Sequence, residues 1–208
     1  MARQTRQRIL DASLAMFNTQ GEPNVTTNHI ADELEISPGN LYYHFRNKDD
    51  IIEHLFGRYE ERIDAALSAP AGRLPELEDV WLQLHLVFEC IWDYRFLYRD
   101  LVDILSRNRR LRIRFARILK RADEQAHAVM RGLSQAGVMR ASAPELDAAA
   151  TNVLVISTFW LNYAAARGDK DEQKSIRDGI VQVMMLLAPF LRDAERVHLN
   201  NLTKAYLD

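Results

Sequence analysis

Apolar residues recur every three to four positions along almost the whole chain, and that period predicts helix after helix. Ile9, Leu10, Ser13, Leu14 and Phe17 form the first stripe, which should stop at Gly21 ahead of Pro23. Ile30, Ala31 and Leu34 mark a short second helix. Glu35-Ile36-Ser37 supplies a turn, and Pro38 opens a third helix that holds Leu41 and Phe45 on one face. A fourth helix runs from Lys48 to about Leu67, with Ile51, Ile52, Leu55, Tyr59 and Ile63 inward. The stretch 68–75, with two prolines and a glycine, breaks the pattern.

Beyond the break, residues 76–93 carry an apolar face of Trp81, Leu84, His85, Phe88, Ile91 and Trp92. One helix is expected over 95–106 and a long one over 108–137, the latter striped by Leu111, Phe115, Ile118, Leu119, Ala122, Ala126, Val129 and Leu133. Another spans 144–167, closed by Gly168. The last, 171–194, has its final turn bent by Pro189. The tail to Asp208 is weakly patterned, and no strand or repeat is apparent. The fold class expected is all-α: an N-terminal three-helix domain with a helix-turn-helix, followed by a C-terminal helical bundle.

Composition narrows the setting. A chain of 208 residues with 48% hydrophobic and 27% charged residues can bury a sizeable core. No apolar run approaches the roughly 18 residues that a membrane span needs, so no membrane partner is expected. The single cysteine, Cys90, excludes an intrachain disulfide, and no secretory signal opens the chain; a cytoplasmic protein is expected. Cys90 itself reads as a small hydrophobe on a helix.

Residues 26–48 carry the chemistry. Two short helices at a steep angle present the second to a major groove. Asn40, Tyr42, Tyr43 and His44 point outward, and all can form hydrogen bonds. The alternative is a helix pair that only packs in a bundle. Charge is less help: residues 1–50 hold five basic against seven acidic residues, whereas a DNA-binding module is usually basic. Weak nonspecific affinity and a shallow salt dependence are expected.

Ile9-Leu10-Asp11-Ala12 through Phe17 and Gly21, then Thr26-Thr27, Ile30-Ala31, Leu41-Tyr42-Tyr43-His44-Phe45 and Lys48, resemble the TetR family of bacterial transcription regulators. The resemblance covers about the first quarter of the chain. It departs at Glu35, where the family usually has glycine; at positive φ a glutamate costs on the order of 1 kcal/mol. The resemblance implies an all-helical homodimer divided into a DNA-binding domain at 1–47, a connecting helix and linker at 48–75, and an effector-binding and dimerisation domain at 76–208. It implies phosphate contacts by Thr27, Tyr42, His44 and Lys48. Asn28, Pro38, Gly39, Asn40 and Tyr43 match positions that face base edges. An amide such as Asn40 can pair with adenine, while Pro38 and Gly39 offer only apolar contact and close approach.

In the bundle, Trp81, His85, Phe88, Trp92, Phe115, Phe159 and Trp160 are candidates to line an apolar effector cavity, with His85, Asn152 and Asn162 to orient a ligand. Plain core packing is the competing reading for each aromatic. Helix 144–167 is apolar over so much of its circumference that it should be buried on two sides, one of them a partner subunit. The basic stretch from Arg107 to Arg121 reads as a solvated face.

A rival class is a di-iron enzyme, because Glu124-x-x-His127 and Glu195-x-x-His198 have the ligand spacing of carboxylate-bridged bundles. Helical-wheel geometry turns Glu124 and His127 outward, away from any cage. No catalytic residue, metal or cofactor is expected. The reading is a ligand-responsive repressor that binds a palindromic DNA operator as a homodimer; an activator of the same fold is the alternative.

Overall fold

The computed structural model of the chain describes residues 2–68, 72–169, 171–204 and 206. Ala69-Pro70-Ala71, in the expected break, and the last two residues of the tail lie outside the described residues. Eleven α-helices and two 3-10 turns make up the described secondary structure, with no strand among the described residues. The chain divides into two compact units: Met1–Arg62 with Asp93–Phe115, and Ile63–Trp92 with Ala116–Asp208. Each unit thus takes two separate pieces of chain.

The first unit begins with α1 (Ala2–Gln20), which ends as expected at Gly21, a residue with φ of 82°. A 3-10 turn (Glu22–Asn24) leads to α2 (Thr27–Glu33) and α3 (Pro38–His44). Most of α4 (Lys48–Ala66), then α6 (Arg95–Arg99), α7 (Leu101–Arg107) and the start of α8 (Arg109–Gln135) complete it. Its core is aromatic. Phe17 packs on Phe96 at 5.3 Å, Phe56 lies near Tyr59 and Phe115, and the Tyr59 and Tyr98 hydroxyls meet at 2.8 Å. The single helix expected over 95–106 is two, because the chain leaves helical geometry at Asp100.

Acidic α4 and basic α8 are cross-linked within this unit by Arg110–Glu53 and Arg114–Glu60, at 3.2 and 2.7 Å. In the second unit the same helices carry Arg121–Asp64. The basic stretch is a solvent-exposed face as expected, with only Arg114 of its basic residues half-buried, and Arg107, Arg110, Arg114 and Arg121 also pair with carboxylates of the same chain.

The second unit holds most of α5 (Leu77–Asp93), the rest of α8, and α9 (Ala143–Arg167), α10 (Glu172–Met185) and α11 (Asp193–Lys204). Leu77, Val80, Leu84, Phe88 and Ile91 give α5 its buried face. Ser142 and Glu145 form a capping box at the start of α9, and Gly168 closes it in the left-handed region. A Cβ at Gly132 would lie 2.5 Å from the Pro75 ring, so the glycine permits that approach.

The long last helix expected over 171–194 is not continuous. α10 stops at Met185, Ala188–Phe190 forms a 3-10 turn with Pro189 inside it, and the tail resumes as α11. Pro189 has no N–H to continue the ladder, and its ring restricts the residue before it, so the chain breaks rather than bends there. The tail was weakly patterned because α11 buries little beyond Leu199 and Thr203.

Candidate nucleic-acid interface

The two helices of the 26–48 segment are built by local hydrogen bonds. Thr26 Oγ1 accepts the His29 N–H at 3.2 Å and His29 Nδ1 accepts the Thr26 N–H at 3.4 Å, a reciprocal cap on α2. Ser37 Oγ accepts the Asn40 N–H at 3.2 Å and caps α3, with Pro38 at the position where the missing N–H costs nothing. Between them Glu35 sits at φ 54°, the only non-glycine residue at positive φ among the described residues. The Ile36 N–H reaches back to the Ala31 carbonyl at 3.0 Å, which is the closure a left-handed residue produces at a helix end. The strain anticipated for a glutamate in this turn is present.

Ile30, Ala31, Leu41 and Phe45 are buried and fix the angle of the two helices from below. Outward stand Asn28, Pro38, Gly39, Asn40, Tyr42 and Tyr43, all exposed, with Tyr43 at 80%. His44 and Thr27 are half-buried, and the Tyr43 and His44 rings meet edge to face at 5.1 Å. Tyr42 and Thr27 share a hydrogen bond of 2.9 Å between their hydroxyls, which ties α3 to α2. Eight of the nine residues singled out from the sequence thus lie on α2 and α3, and six of them are exposed.

Lys48 differs from the others. Its Nζ donates to the Glu22 carbonyl at 3.0 Å and makes a charge contact with Glu22 Oε1 at 2.8 Å. Arg107 Nη2 bonds the other carboxylate oxygen at 2.6 Å. Nothing in the sequence pattern flagged Glu22, a charged residue with no exposed surface. Asp100 accepts the Glu22 N–H, and burial pushes its carboxyl above the usual carboxylate range. Of the basic groups near this surface, Arg6 covers the Phe45 ring at 4.8 Å, while Arg46 is exposed.

The aromatic residues read as a cavity lining fall into separate groups. Phe115 is 3% exposed and belongs to the first unit, wedged against Phe56 and Tyr98. Phe88 and Trp160 pack on Gly179, and the Trp160 Nε1–H donates to the Ser175 carbonyl at 2.6 Å. Trp81 stacks on His85, whose Nδ1 bonds the Tyr206 hydroxyl at 3.0 Å. Trp92 and Asn162 are half-buried, and Asn152 is exposed on α9. Phe159 lines a surface groove of about 450 Å³ with Val155, Trp160, Tyr163, Arg167 and Gln182. Phe88 and Phe115 are core, Trp81, His85, Trp92 and Trp160 are half-buried, and an apolar period alone could not separate core from cavity. Sequence reasoning missed Gln125 and Ser157 of this unit, whose Nε2 and Oγ are shut off from solvent without a hydrogen-bond partner.

The Glu-x-x-His pairs do not assemble a metal site. Glu124 is exposed, His127 pairs with Asp123 and Asp147, and His198 pairs with Glu78. No metal-holding group of three or more His, Cys, Asp or Glu occurs among the described residues, and no described helix is long and apolar enough to cross a membrane.

The geometry defines an all-helical protein with a helix-turn-helix at its N-terminal end. The model for the N-terminal region of bacterial regulatory proteins of the tetR family matches residues 9–55, and the model described as TetR, bacterial transcriptional repressor, matches residues 58–199. The chain belongs to the TetR family of bacterial transcriptional regulators. It is 38% identical to a TetR-family transcriptional regulator of Marinobacter aquaeolei over 97% of this chain and 98% of that one, with a TM-score of 0.87. It is 31% identical over 71 residues to TtgW of Pseudomonas putida, an HTH-type transcriptional regulator; that match takes in 34% of this chain and 53% of the relative. SmeT, the repressor of the Stenotrophomonas maltophilia multidrug efflux pump SmeDEF, in its triclosan complex shares the fold at 21% identity and TM-score 0.60, over 92% of this chain and 94% of SmeT. Family and fold are those of transcriptional regulators and not of enzymes.

Proposed function

We propose that the chain is a ligand-responsive repressor that binds a pseudo-palindromic operator as a homodimer. The observation that carries this reading is the uncovered polar face of α3, in which Asn40 and Tyr43 stand free on a helix held rigid from below. In this reading α3 enters the major groove. Asn28, Pro38, Gly39, Asn40 and Tyr43 face base edges, and Thr27, Tyr42, His44 and Lys48 hold the backbone. The Thr27–Tyr42 bond presents the two hydroxyls as one unit to a phosphate oxygen. Residues 1–47 then form the DNA-binding domain, 48–75 the connection, and 76–208 the effector and dimerisation domain.

Dimerisation is supported by α9, whose Val155, Phe159 and Tyr163 are about half exposed at successive four-residue steps. A row of large apolar side chains in water favours a matching surface, and a second copy supplies one. Two reading heads then meet half-sites about one helical turn apart. Effector binding in the second unit is supported by the unpaired Gln125 Nε2 and Ser157 Oγ, since an orphaned buried polar atom favours a ligand able to pair with it. Such a ligand represses or releases only through different affinities for the DNA-bound and free forms.

The test is binding to a labelled duplex carrying the DNA immediately upstream of its own coding sequence. Tight, sequence-dependent binding that falls for Tyr42→Ala and Lys48→Ala supports the reading. Folded, dimeric variants that bind as firmly as the parent refute it. Thermal-shift screening with apolar and aromatic compounds, followed by operator release, tests the effector part.

A further inference from the structure

Two cations from distant parts of the chain close on one carboxylate that has no access to water. Lys48 approaches Glu22 from the head of α4 and Arg107 from the end of α7, on opposite oxygens. A buried carboxylate can give up one of two cations, but losing both would strand a charge away from solvent. Lys48 is the partner with somewhere else to go: its side chain is 23% exposed and stands on a flexible four-carbon stem. Arg107 also has alternatives, with Asp103 at 3.5 Å on its own helix and Asp49 at 4.0 Å beside Lys48.

We propose that Glu22 is a latch on Lys48, and that Arg107 decides whether the latch opens. The proposal rests on the reading of Lys48 as a phosphate contact. With Arg107 seated, Glu22 stays paired when the lysine swings out to DNA. With Arg107 withdrawn to Asp103 or Asp49, Lys48 is the only cation left and must stay with Glu22. The grip of Lys48 on DNA is thereby conditional on where α7 sits. α8 starts at Arg109 and runs unbroken to Gln135, so a shift of that helix carries the end of α7 with it.

The experiment uses the full-length protein, the duplex described above and a scrambled duplex of the same composition, each titrated over a salt series. Lys48→Ala should lower the salt slope by about 0.9 per subunit and weaken binding roughly eight-fold per subunit at 0.1 M salt, as expected for one lost phosphate contact. Arg107→Gln should produce a loss of similar size on both duplexes, although Arg107 is not among the residues read as phosphate contacts. In a Glu22→Gln background, where no buried charge needs a partner, Arg107→Gln should be silent whether residue 48 is lysine or alanine.

Arg107→Lys, which keeps the charge, should bind as the parent does. It serves as a second reading if Arg107→Gln unfolds, since loss of binding by folded Arg107→Lys would then count against the latch. A loss on Arg107→Gln that persists in the Glu22→Gln background, or parental binding by Arg107→Gln alone, overturns the latch. Lys48→Ala binding as the parent does removes the phosphate reading and the latch together. A weakened Lys48→Ala beside an unaffected Arg107→Gln removes only the latch.

Discussion

α3 and α9 both hold large side chains out into water, and they do so with opposite chemistry. On α3 the uncovered groups are an amide, two phenols and a backbone stretch at Pro38-Gly39, all of which water satisfies until something better displaces it. On α9 they are Val155, Phe159 and Tyr163, which water serves poorly. The first surface can stay open between encounters without cost; the second favours permanent cover. Exposure alone therefore does not name a partner, whereas the kind of atom exposed separates a transient polar ligand from a lasting apolar one.

Breaking the apolar side should have the largest effect. Phe159→Glu is expected to give a monomer by analytical ultracentrifugation and to weaken operator binding on the order of 100-fold or more, because the second head loses its tethered advantage. A dimer that persists with full affinity would move the interface elsewhere. On the polar side, Asn40→Ala should cost about 1–3 kcal/mol and relax the choice of base at a single position of each half-site. A loss spread evenly over all sequences would make Asn40 a backbone contact.

Glu35→Gly should stabilise the protein by about 1 kcal/mol, a rise in Tm of about 2–4 °C, by relieving a left-handed glutamate. Unchanged operator binding would show that the turn's strain serves no recognition. Asp100→Asn should give the smallest change, a gain of about 1 °C at neutral pH. Because burial raises the folded carboxyl, the folded state prefers the protonated form. That preference adds stability below the usual carboxylate range and is lost as pH rises through the raised value. The advantage of asparagine should therefore vanish in acid, and melting curves from pH 3 to pH 8 will show whether it does.

The recognition segment was legible because its signals are local. A turn, a proline at the first helical position and apolar residues four apart all act within one helix turn, and each holds in the structure. Glu35 was legible through the resemblance, since it stands where the TetR family usually has glycine, and it takes positive φ. What stayed hidden depends on partners remote in sequence. Glu22 meets Lys48 and Arg107, 26 and 85 positions away, and no period announces that meeting. The role of Phe115 was lost for the same reason, because a helical stripe says that a side chain turns inward without saying which unit receives it. The sequence reading carried α10 on to residue 194 because Pro189 supports either a bend or a break.

At Gly179 an added methyl group would stand 2.6 Å from the Phe88 ring and 2.7 Å from Trp160. The place where those two rings face α10 therefore has no slack even for one carbon atom. A small molecule bound for that junction would have to prise the rings apart before settling, so its arrival would be paced by their opening and would stay slow however high the dose.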